Sequence, residues 1–224
     1  MEKLNKKTWD KAFKKEGKIF VAPQEDMPRI VEFLKKAGVK KVLDLGCGSG
    51  RHLVYLAKHG FEVYGIDIAK HGIEIAEDWL KRERLKAYLE IDDVYNRLPY
   101  NDNFFDAVIS TQTLYHGKIE DIQRLIKEIE RILKPKGLIF VTVRKRKFKK
   151  FWPKSKIIER YGKQTTKYKV IGPRTYIPIE KGEKGLIHYL FNKKIIKQEF
   201  KNFKIYDIWV ESKGKHYCLL AELK

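Results

Sequence analysis

The stretch VLDLGCGSGRH, residues 42–52, places glycines at alternating positions directly after an apolar run. Gly46, Gly48 and Gly50 carry no Cβ, so the backbone there can adopt positive φ and a ligand can approach it closely. Asp44 lies just before the first of these glycines. The pattern predicts a ligand-binding loop, and the neighbouring carboxylate suits a cationic group on the ligand.

Two more acids stand where later apolar segments end. Asp67 closes FEVYGID, and a carboxylate there can accept both hydroxyls of a ribose, as in other nucleoside-binding α/β folds. A helix N-cap for residues 70–83 is compatible with the same position. Asp93 follows the segment KAYLEID.

A polar turn follows the apolar segment FFDAVIS, residues 104–110. It contains Thr111, Gln112, Tyr115 and His116. A histidine in such a turn is a candidate general base, although it can equally cap or order the turn before the next helix. Tyr115 is better suited to form a pocket wall.

The elements that must position these residues alternate between strands and helices. Strands are predicted at 41–45, 61–67, 86–92, 104–110 and 136–143, and helices at 51–60, 71–83 and 119–133. Such alternation predicts a parallel sheet with helices on both faces. Residues 5–36 are predicted to be helical, and a helix near 191–201 precedes an antiparallel strand pair at 203–211 and 216–223. Between 144 and 185 the alternation stops.

Size and composition exclude several classes of protein. A chain of 224 residues is long enough for one generous domain. No segment approaches the roughly 18 apolar residues of a membrane helix, and no apolar segment follows the basic N-terminus, so neither a membrane protein nor a signal peptide is predicted. Two cysteines predict no disulfide framework and favour the cytoplasm. The six histidines have no metal-ligand spacing, so no metal is expected.

The net charge of +20 favours anionic partners. Residues 144–169 contain twelve Lys or Arg against a single acid, with aromatic residues interleaved. This pattern suits a nucleic-acid backbone with stacked bases and makes RNA a possible partner. The alternative is a solvated lid whose lysines serve solubility.

Three segments carry a family resemblance. DLGCGSG resembles motif I of the class I S-adenosylmethionine-dependent methyltransferases, whereas Arg51 occupies the place of the third glycine in a dinucleotide fingerprint. FDAVISTQTLYH resembles motif IV of the same family. RILKPKGLIFVTV resembles its R-x-L-K-P-G-G segment, with Lys136 replacing the first glycine. The resemblance is close over about residues 40–143.

The resemblance implies an α/β fold: a three-layer, Rossmann-like sheet of seven strands in the order 3-2-1-4-5-7-6, with strand 7 antiparallel. Residues 1–224 then form a single methyltransferase domain. Its parts are an N-terminal helical cap at 1–38, a cofactor-binding core at 39–143, a basic substrate-side insert at 144–190, and the last helix with the final two strands at 191–224.

The implied cofactor is S-adenosylmethionine, with Asp93 placed to meet its adenine amino group. The expected cofactor-binding residues are Asp44, Gly46, Cys47, Gly48, Gly50, Asp67, Ile68, Asp93, Val94, Thr111 and Gln112. His116 and Tyr115 are the catalytic candidates, and Trp9, Phe13 and Phe20 either close over the cofactor or belong to ordinary core packing.

The expected function is methyl transfer by in-line displacement to a small-molecule acceptor. RNA methylation through residues 144–169 is the first alternative. A non-catalytic protein of the same fold, which binds RNA or stabilises a partner, is a further one, and the intact glycine loop disfavours it. A nicotinamide-dependent oxidoreductase is disfavoured by Arg51. Nothing in the sequence predicts the oligomeric state.

Overall fold

A computed structural model describes residues 2–145, 156–161, 164–180 and 183–224. It contains helices α1 (Glu2–Glu16), α2 (Met27–Lys36), α3 (Arg51–Lys58), α4 (Lys70–Arg82), α5 (Ile119–Ile132) and α6 (Lys193–Glu199). The strands are β1 (Lys41–Leu45), β2 (Glu62–Asp67), β3 (Tyr88–Ile91), β4 (Phe105–Ser110), β5 (Leu133–Arg144), β6 (Lys156–Tyr161), β7 (Gln164–Gly172), β8 (Thr175–Pro178), β9 (His188–Tyr189), β10 (Phe203–Val210) and β11 (His216–Leu223).

The central sheet has seven strands in the order β3-β2-β1-β4-β5-β11-β10. Strands β1 to β5 pair in parallel, and β11 is antiparallel to both β5 and β10. Counted along the central sheet, this is the predicted order 3-2-1-4-5-7-6 with the last strand antiparallel. The carboxyl ends of β1, β2 and β4 therefore meet at one edge of the sheet, where ligands bind in open α/β folds.

Each face of this sheet is covered by a separate apolar cluster. Helix α5 presents Ile122, Leu125, Ile129 and Ile132 at helical spacing to the cluster that also holds residues of α6. The opposite cluster holds residues of α2, α3 and α4. Strands β1, β4 and β5 are buried on both faces, as expected for parallel strands between helical layers, and this fixes where their polar ends emerge.

The predicted helical stretch 5–36 is interrupted. Helix α1 ends at Gly17, whose φ is +63° and whose N–H donates to the carbonyl of Phe13, and residues 17–26 lead to α2 as a loop. Helix α1 packs on the start of α4, because the His71 backbone N–H and ring Nδ1 contact the two carboxylate oxygens of Asp10 at 2.9 and 2.8 Å. The N-terminal segment is thus fastened to the core.

The segment after β5 forms a second sheet that the sequence analysis did not anticipate. Strands β6, β7, β8 and β9 are antiparallel neighbours in that order. The sheet is joined to the core, since the Tyr189 N–H donates to the carbonyl of Tyr115 at 2.9 Å. Much of the basic segment 144–169, including 146–155 and 162–163, lies outside the described residues.

Within the described part of the chain, no helix is long and apolar enough to cross a membrane, and no cluster of metal-ligating side chains is found.

A substitution at Gly50 tests how tightly α3 and α4 pack. Its φ is +88°, and an added Cβ would lie 2.8 Å from the Cβ of Ala76 on α4. Gly60 has almost the same φ, +87°, but an added Cβ would meet no described atom within 4 Å. We expect Gly50→Ala to lower the free energy of unfolding by about 1–3 kcal/mol more than Gly60→Ala, because only the first adds overpacking to backbone strain. Urea unfolding of the two variants measures this, and equal losses would contradict it.

Candidate functional site

The glycine loop between β1 and α3 uses its backbone donors inside the protein. The N–H groups of Gly46 and Cys47 donate to the carbonyl of Ile66 at 2.8 and 3.1 Å. The Gly48 N–H donates to Oδ2 of Asp67 at 2.8 Å, and the Gly50 N–H to the carbonyl of Cys47 at 3.0 Å. A loop whose donors are engaged in this way is not a cradle for a phosphate, which needs N–H groups directed at the anion.

The three glycines are crowded by side chains of the protein itself. All three have positive φ, and an added Cβ at Gly46 would overlap Thr113 at 2.2 Å. At Gly48 it would lie 2.9 Å from the Phe13 ring of α1. Gly50 faces α4, as described above, so its role is helix packing. The glycines are therefore required by close packing around the site, and not only by the approach of a ligand.

A cavity opens beside this loop, between α1 and the carboxyl ends of β1, β2 and β4. Its wall is formed by Trp9, Phe13, Phe20, Gly46, Cys47, Gly48, Ser49, Arg51, His52, Asp67, Ile68, Asp93, Val94, Tyr95, Thr111, Gln112, Thr113 and His116. Most of the residues that the sequence predicted for the site are in this wall. Asp44, Gly50 and Tyr115 are outside it, and a direct role for them toward a ligand stays a prediction.

Asp67 ties the loop to the next helix. Its Oδ2 accepts from Gly48, and its Oδ1 accepts from the Ala69 N–H at 2.9 Å, just before α4. Its side chain does not cap α4, because Ala69 is the N-cap residue. Burial raises the pKa of Asp67 to about 6, while the backbone hydrogen bonds from Ala69 and Gly48 act in the opposite direction. Each oxygen keeps one acceptor position for a ligand hydroxyl.

Asp93 occupies the corresponding place after β3. It lies in the cavity wall and is almost fully buried, and its Oδ1 accepts from the Tyr95 N–H at 3.0 Å. The cavity therefore carries two carboxylates at the ends of neighbouring strands.

Asp44 lies beneath the loop and is fully buried. Neither of its carboxylate oxygens has a hydrogen-bond partner among the described residues, and Nδ1 of the His52 ring lies 3.8 Å from Oδ2. Burial raises the pKa of Asp44 to about 7, with Arg51 opposing that shift and Asp67 adding to it. A buried carboxylate without partners is unfavourable unless a cation or a donor group reaches it.

Arg51, the first residue of α3, is a half-buried cation in the cavity wall. Its guanidinium lies over the Phe20 ring at 4.7 Å and donates to Oγ1 of Thr111 at 3.4 Å. Burial lowers the pKa of Arg51, and the charge of Asp44 counteracts this. Its neighbour His52 has a pKa well below the usual range, again because of burial, so its ring is neutral.

The turn after β4 brings the polar candidates to the cavity. Gln112 has a φ of +61°, a strained value for a non-glycine residue, and its N–H donates to Oγ1 of Thr142 at 2.8 Å. His116 closes the turn through its N–H, which donates to the carbonyl of Thr113 at 3.0 Å. A strained backbone conformation of this kind persists only where the surrounding structure holds the residue in place.

His116 is held between aromatic rings. Its ring meets Trp9 edge-on at 5.5 Å between centroids and Tyr115 at 4.4 Å. No described group makes a well-formed hydrogen bond with either ring nitrogen, but the backbone of Ile187 and Gln112 is near enough to oppose the lowering of its pKa. Burial lowers the pKa of His116 to about 3, so the imidazole is neutral at ordinary pH.

Several wall residues were missing from the predicted set. Trp9, Phe13 and Phe20 were open between core packing and closure over the cofactor, and all three line the cavity. The others that sequence reasoning missed are Ser49, Arg51, His52, Tyr95 and Thr113. Most follow a predicted binding residue by one or two positions, so a wider window around each motif finds them.

Comparison with known proteins places this geometry in a family. Residues 43–141 match a methyltransferase domain model. The ubiquinone biosynthesis O-methyltransferase of Coxiella burnetii is 33% identical over 112 residues, which is 50% of this chain and 47% of that protein. Methyltransferase GfsG of Streptomyces halstedii is 31% identical over 116 residues, or 50% and 41% of the two chains. The chain spans about half the length of these curated relatives.

Solved structures share the fold over nearly the whole chain. An S-adenosylmethionine-dependent methyltransferase from Methanosarcina mazei aligns with a TM-score of 0.69 at 22% identity, covering 88% of this chain and 97% of that one. The magnesium protoporphyrin IX methyltransferase of Synechocystis, with bound S-adenosylmethionine, aligns with a TM-score of 0.69 at 14% identity, over 100% and 97%.

Residues 43–141 thus match a methyltransferase domain, and the chain has the class I, Rossmann-like fold of the S-adenosylmethionine-dependent methyltransferases. The cofactor of this domain is S-adenosylmethionine, and the residues present fit it. The carboxylate of Asp44 lies unpartnered under the loop, where a nearby cationic group of the cofactor would favour its ionised form. Asp67 and Asp93 offer acceptor oxygens for a nucleoside.

Asp44 makes stability depend on pH. Its pKa is about 7 in the folded chain against an ordinary value of 3.8. Between these values the folded protein retains a proton that the unfolded chain has released, so this group lowers the free energy of unfolding as pH rises, by at most about 1.4 kcal/mol per pH unit. We expect Asp44→Asn to gain stability relative to the natural chain between pH 5 and pH 8. Urea unfolding at both pH values measures it, and a constant difference would contradict it.

Proposed function

We propose that this protein transfers a methyl group from S-adenosylmethionine to a small-molecule acceptor. The observation that carries the proposal is a cavity that α1 covers and whose two ends differ in chemistry. The carboxylates of Asp67 and Asp93 are at one end, and the neutral imidazole of His116 is in the wall formed by the turn after β4.

The cofactor end is expected to hold the nucleoside and the charged tail. Asp67 would accept the ribose hydroxyls and Asp93 would meet the adenine amino group, while Ile68 and Val94 supply apolar contact beside them. Asp44 would act through the loop by its field, since it lies behind the cavity wall. The bound cofactor supplies an activated methyl group, so the chain mainly has to position the acceptor.

The acceptor end is built from aromatic and weakly polar side chains. Trp9, Phe20 and Tyr95 form apolar walls, and Thr113 and His116 offer polar atoms. Such a combination of apolar surface with few polar groups is typical of sites for small molecules. His116 is the candidate general base, and Tyr115 behind it is a supporting residue, because its hydroxyl hydrogen-bonds to Nε2 of His216 at 3.3 Å.

The relatives agree with a small acceptor. The names of the Coxiella burnetii and Synechocystis proteins specify methylation in ubiquinone biosynthesis and of magnesium protoporphyrin IX. The RNA alternative depends on residues 144–169, and no described contact favours it. The cytoplasm remains the proposed compartment, consistent with two buried free thiols, Cys47 and Cys218.

The cofactor end is tested with Asp67→Asn and S-adenosylhomocysteine. The change keeps the size of the side chain but removes the charge and replaces one acceptor oxygen. We expect affinity to fall by about 1.5–3 kcal/mol, the range for a hydrogen bond to a charged group. Isothermal titration calorimetry measures this, with the exposed Asp78→Asn on α4 as the matched control. Unchanged affinity in Asp67→Asn would show that the ribose binds elsewhere.

The acceptor class is tested by transfer of labelled methyl from S-adenosylmethionine into a cell extract separated into small molecules, RNA and protein. We expect label in the small-molecule fraction. Label in RNA that nuclease removes and salt suppresses would support the alternative instead.

His116→Gln in the same assay tests the base. We expect transfer to fall about 10²-fold or more with affinity for S-adenosylhomocysteine unchanged. The control is His59→Gln, because His59 lies at the end of α3 and outside the cavity wall. Equal transfer by both variants would remove His116 from the chemistry.

A further inference from the structure

The outer edge of strand β3 is open to solvent. β3 ends the seven-stranded sheet, and in the part of the chain that the structure describes no strand pairs with it on the side away from β2. Two large side chains of this short strand are exposed, Tyr88 at 58% and Ile91 at 46%. An edge strand of this kind is a template for pairing with another chain.

The pairing of β3 with β2 shows which backbone groups point outward. The Asp92 N–H donates to the carbonyl of Asp67 on β2 at 3.2 Å. Because backbone groups alternate in direction along a strand, those of Ala87, Leu89 and Ile91 point away from β2. Donors and acceptors at three alternate positions are therefore presented to a further strand.

We propose that two copies of this chain associate through β3, in antiparallel register about a two-fold axis at Leu89, so that one continuous sheet runs through both. The same patch of each copy then meets itself, and an interface of this type closes as a dimer. This inference does not depend on the proposed function, because it concerns a surface outside the cavity wall.

The register pairs apolar side chains on one face of the strand. Leu89 lies opposite Leu89 of the second copy, and Ala87 lies opposite Ile91. Ala87 and Leu89 already pack against the apolar cluster that holds residues of α2, α3 and α4. The exposed Ile91 shares their face, because side chains alternate along the strand. Pairing with a second copy thus extends this apolar layer across the axis.

The same register pairs complementary polar side chains on the other face. Lys86 lies opposite Asp92 of the second copy, and Tyr88 lies opposite Glu90, and the two-fold axis repeats each pair. Lys86, Tyr88 and Glu90 are exposed, and Asp92 is half-buried. Opposite charges directly across two strands are stabilising, and a tyrosine hydroxyl can donate to a carboxylate.

The neighbouring registers fit less well. An axis at Glu90 would place two glutamates directly opposite each other, which is destabilising. An axis at Tyr88 would pair Ile91 with Leu85, whose N–H already donates to the carbonyl of Leu80 at 2.9 Å. Arg84, just before it, has a φ of +55° and so is not extended. The axis at Leu89 avoids both difficulties.

The opposite edge of the sheet lacks this regularity. Strand β10 has a register shift between Ile205 and Asp207, and Arg29 forms an ion pair with Asp207 at 3.1 Å. A bulge discourages edge-to-edge pairing, whereas β3 pairs with β2 without any shift. The net charge of +20 opposes association in general. A second copy therefore needs a patch where acids meet bases, and β3 provides one.

Sedimentation equilibrium of the full chain tests the interface with two charge reversals, Lys86→Glu and Asp92→Lys. Each variant alone places like charges opposite each other on both sides of the axis. An equal mixture of the two restores an opposite-charge pair on each side. Ile91→Pro removes an outward N–H that β2 does not use. Lys204→Glu, an exposed charge reversal on β10, is the matched control.

We expect the natural chain and Lys204→Glu to form dimers between about 1 µM and 1 mM, the range for a small interface. The dissociation constant should rise about tenfold or more in Lys86→Glu, Asp92→Lys and Ile91→Pro. The mixture of Lys86→Glu with Asp92→Lys should form dimers about as tightly as the natural chain does.

A monomeric natural chain, or dimers that Lys86→Glu and Ile91→Pro leave unchanged, would overturn the proposal. Dimers lost in Lys204→Glu would place the interface at β10 instead. Lys86→Glu and Ile91→Pro also test the edge independently of Asp92, whose carboxylate accepts from the Asn96 side chain at 3.0 Å. Circular dichroism confirms that each variant is folded.

Discussion

The rest of the site depends on the hydrogen bonds that the carboxylate of Asp67 accepts. It accepts one hydrogen bond from Gly48 in the loop after β1 and one from Ala69 at the start of α4. These bonds fix two neighbouring strand ends relative to each other and partly offset the loss of hydration that raises its pKa. Helix α1 packs against this loop and the start of α4, because the Phe13 ring lies against Gly48 and Gly72. One buried acid thus fixes the glycine loop and, through it, the surface on which α1 packs over the cavity.

The core was predictable because its local patterns and its burial agree. Strands β1, β4 and β5 contain apolar runs that the sheet buries, and α5 repeats apolar residues at helical spacing. The depth of Asp44 was not predictable from the motif. It pairs in register with Gly65 on one side and Ile109 on the other, so the sheet itself removes it from the cavity wall. Likewise, the sequence shows that Trp9 and Phe13 share an apolar helix face, but it does not show which part of the fold that face covers. The second sheet was missed because lysines occupy its alternate positions, as at Lys167 and Lys169 around Tyr168.

The electrostatics of the cavity are divided along its length. Acidic groups lie near the ends of β1, β2 and β3, where the proposed cofactor would place its sulfonium and ammonium groups. Around His116 burial is the main cause of the low pKa, and the positive charge of Arg144 adds to it. This region therefore disfavours a further positive charge. The division follows from the topology, because the acids end the first three strands while His116 belongs to the turn after β4.

The insert that carries His188 leaves the core and returns to it at the same place. Its two ends meet, as Lys145 bridges to Phe191 and the Phe191 N–H donates to the carbonyl of Arg144 at 2.8 Å. Residues between these points can change without altering the pairing of β5 with β4 and β11, because the loop is closed at its base. The insert nevertheless reaches the site through one short strand, fixed by the bond from Tyr189 to Tyr115. The core with the glycine loop and the second sheet therefore meet at one place, beside the turn that carries His116, and His188 lies there.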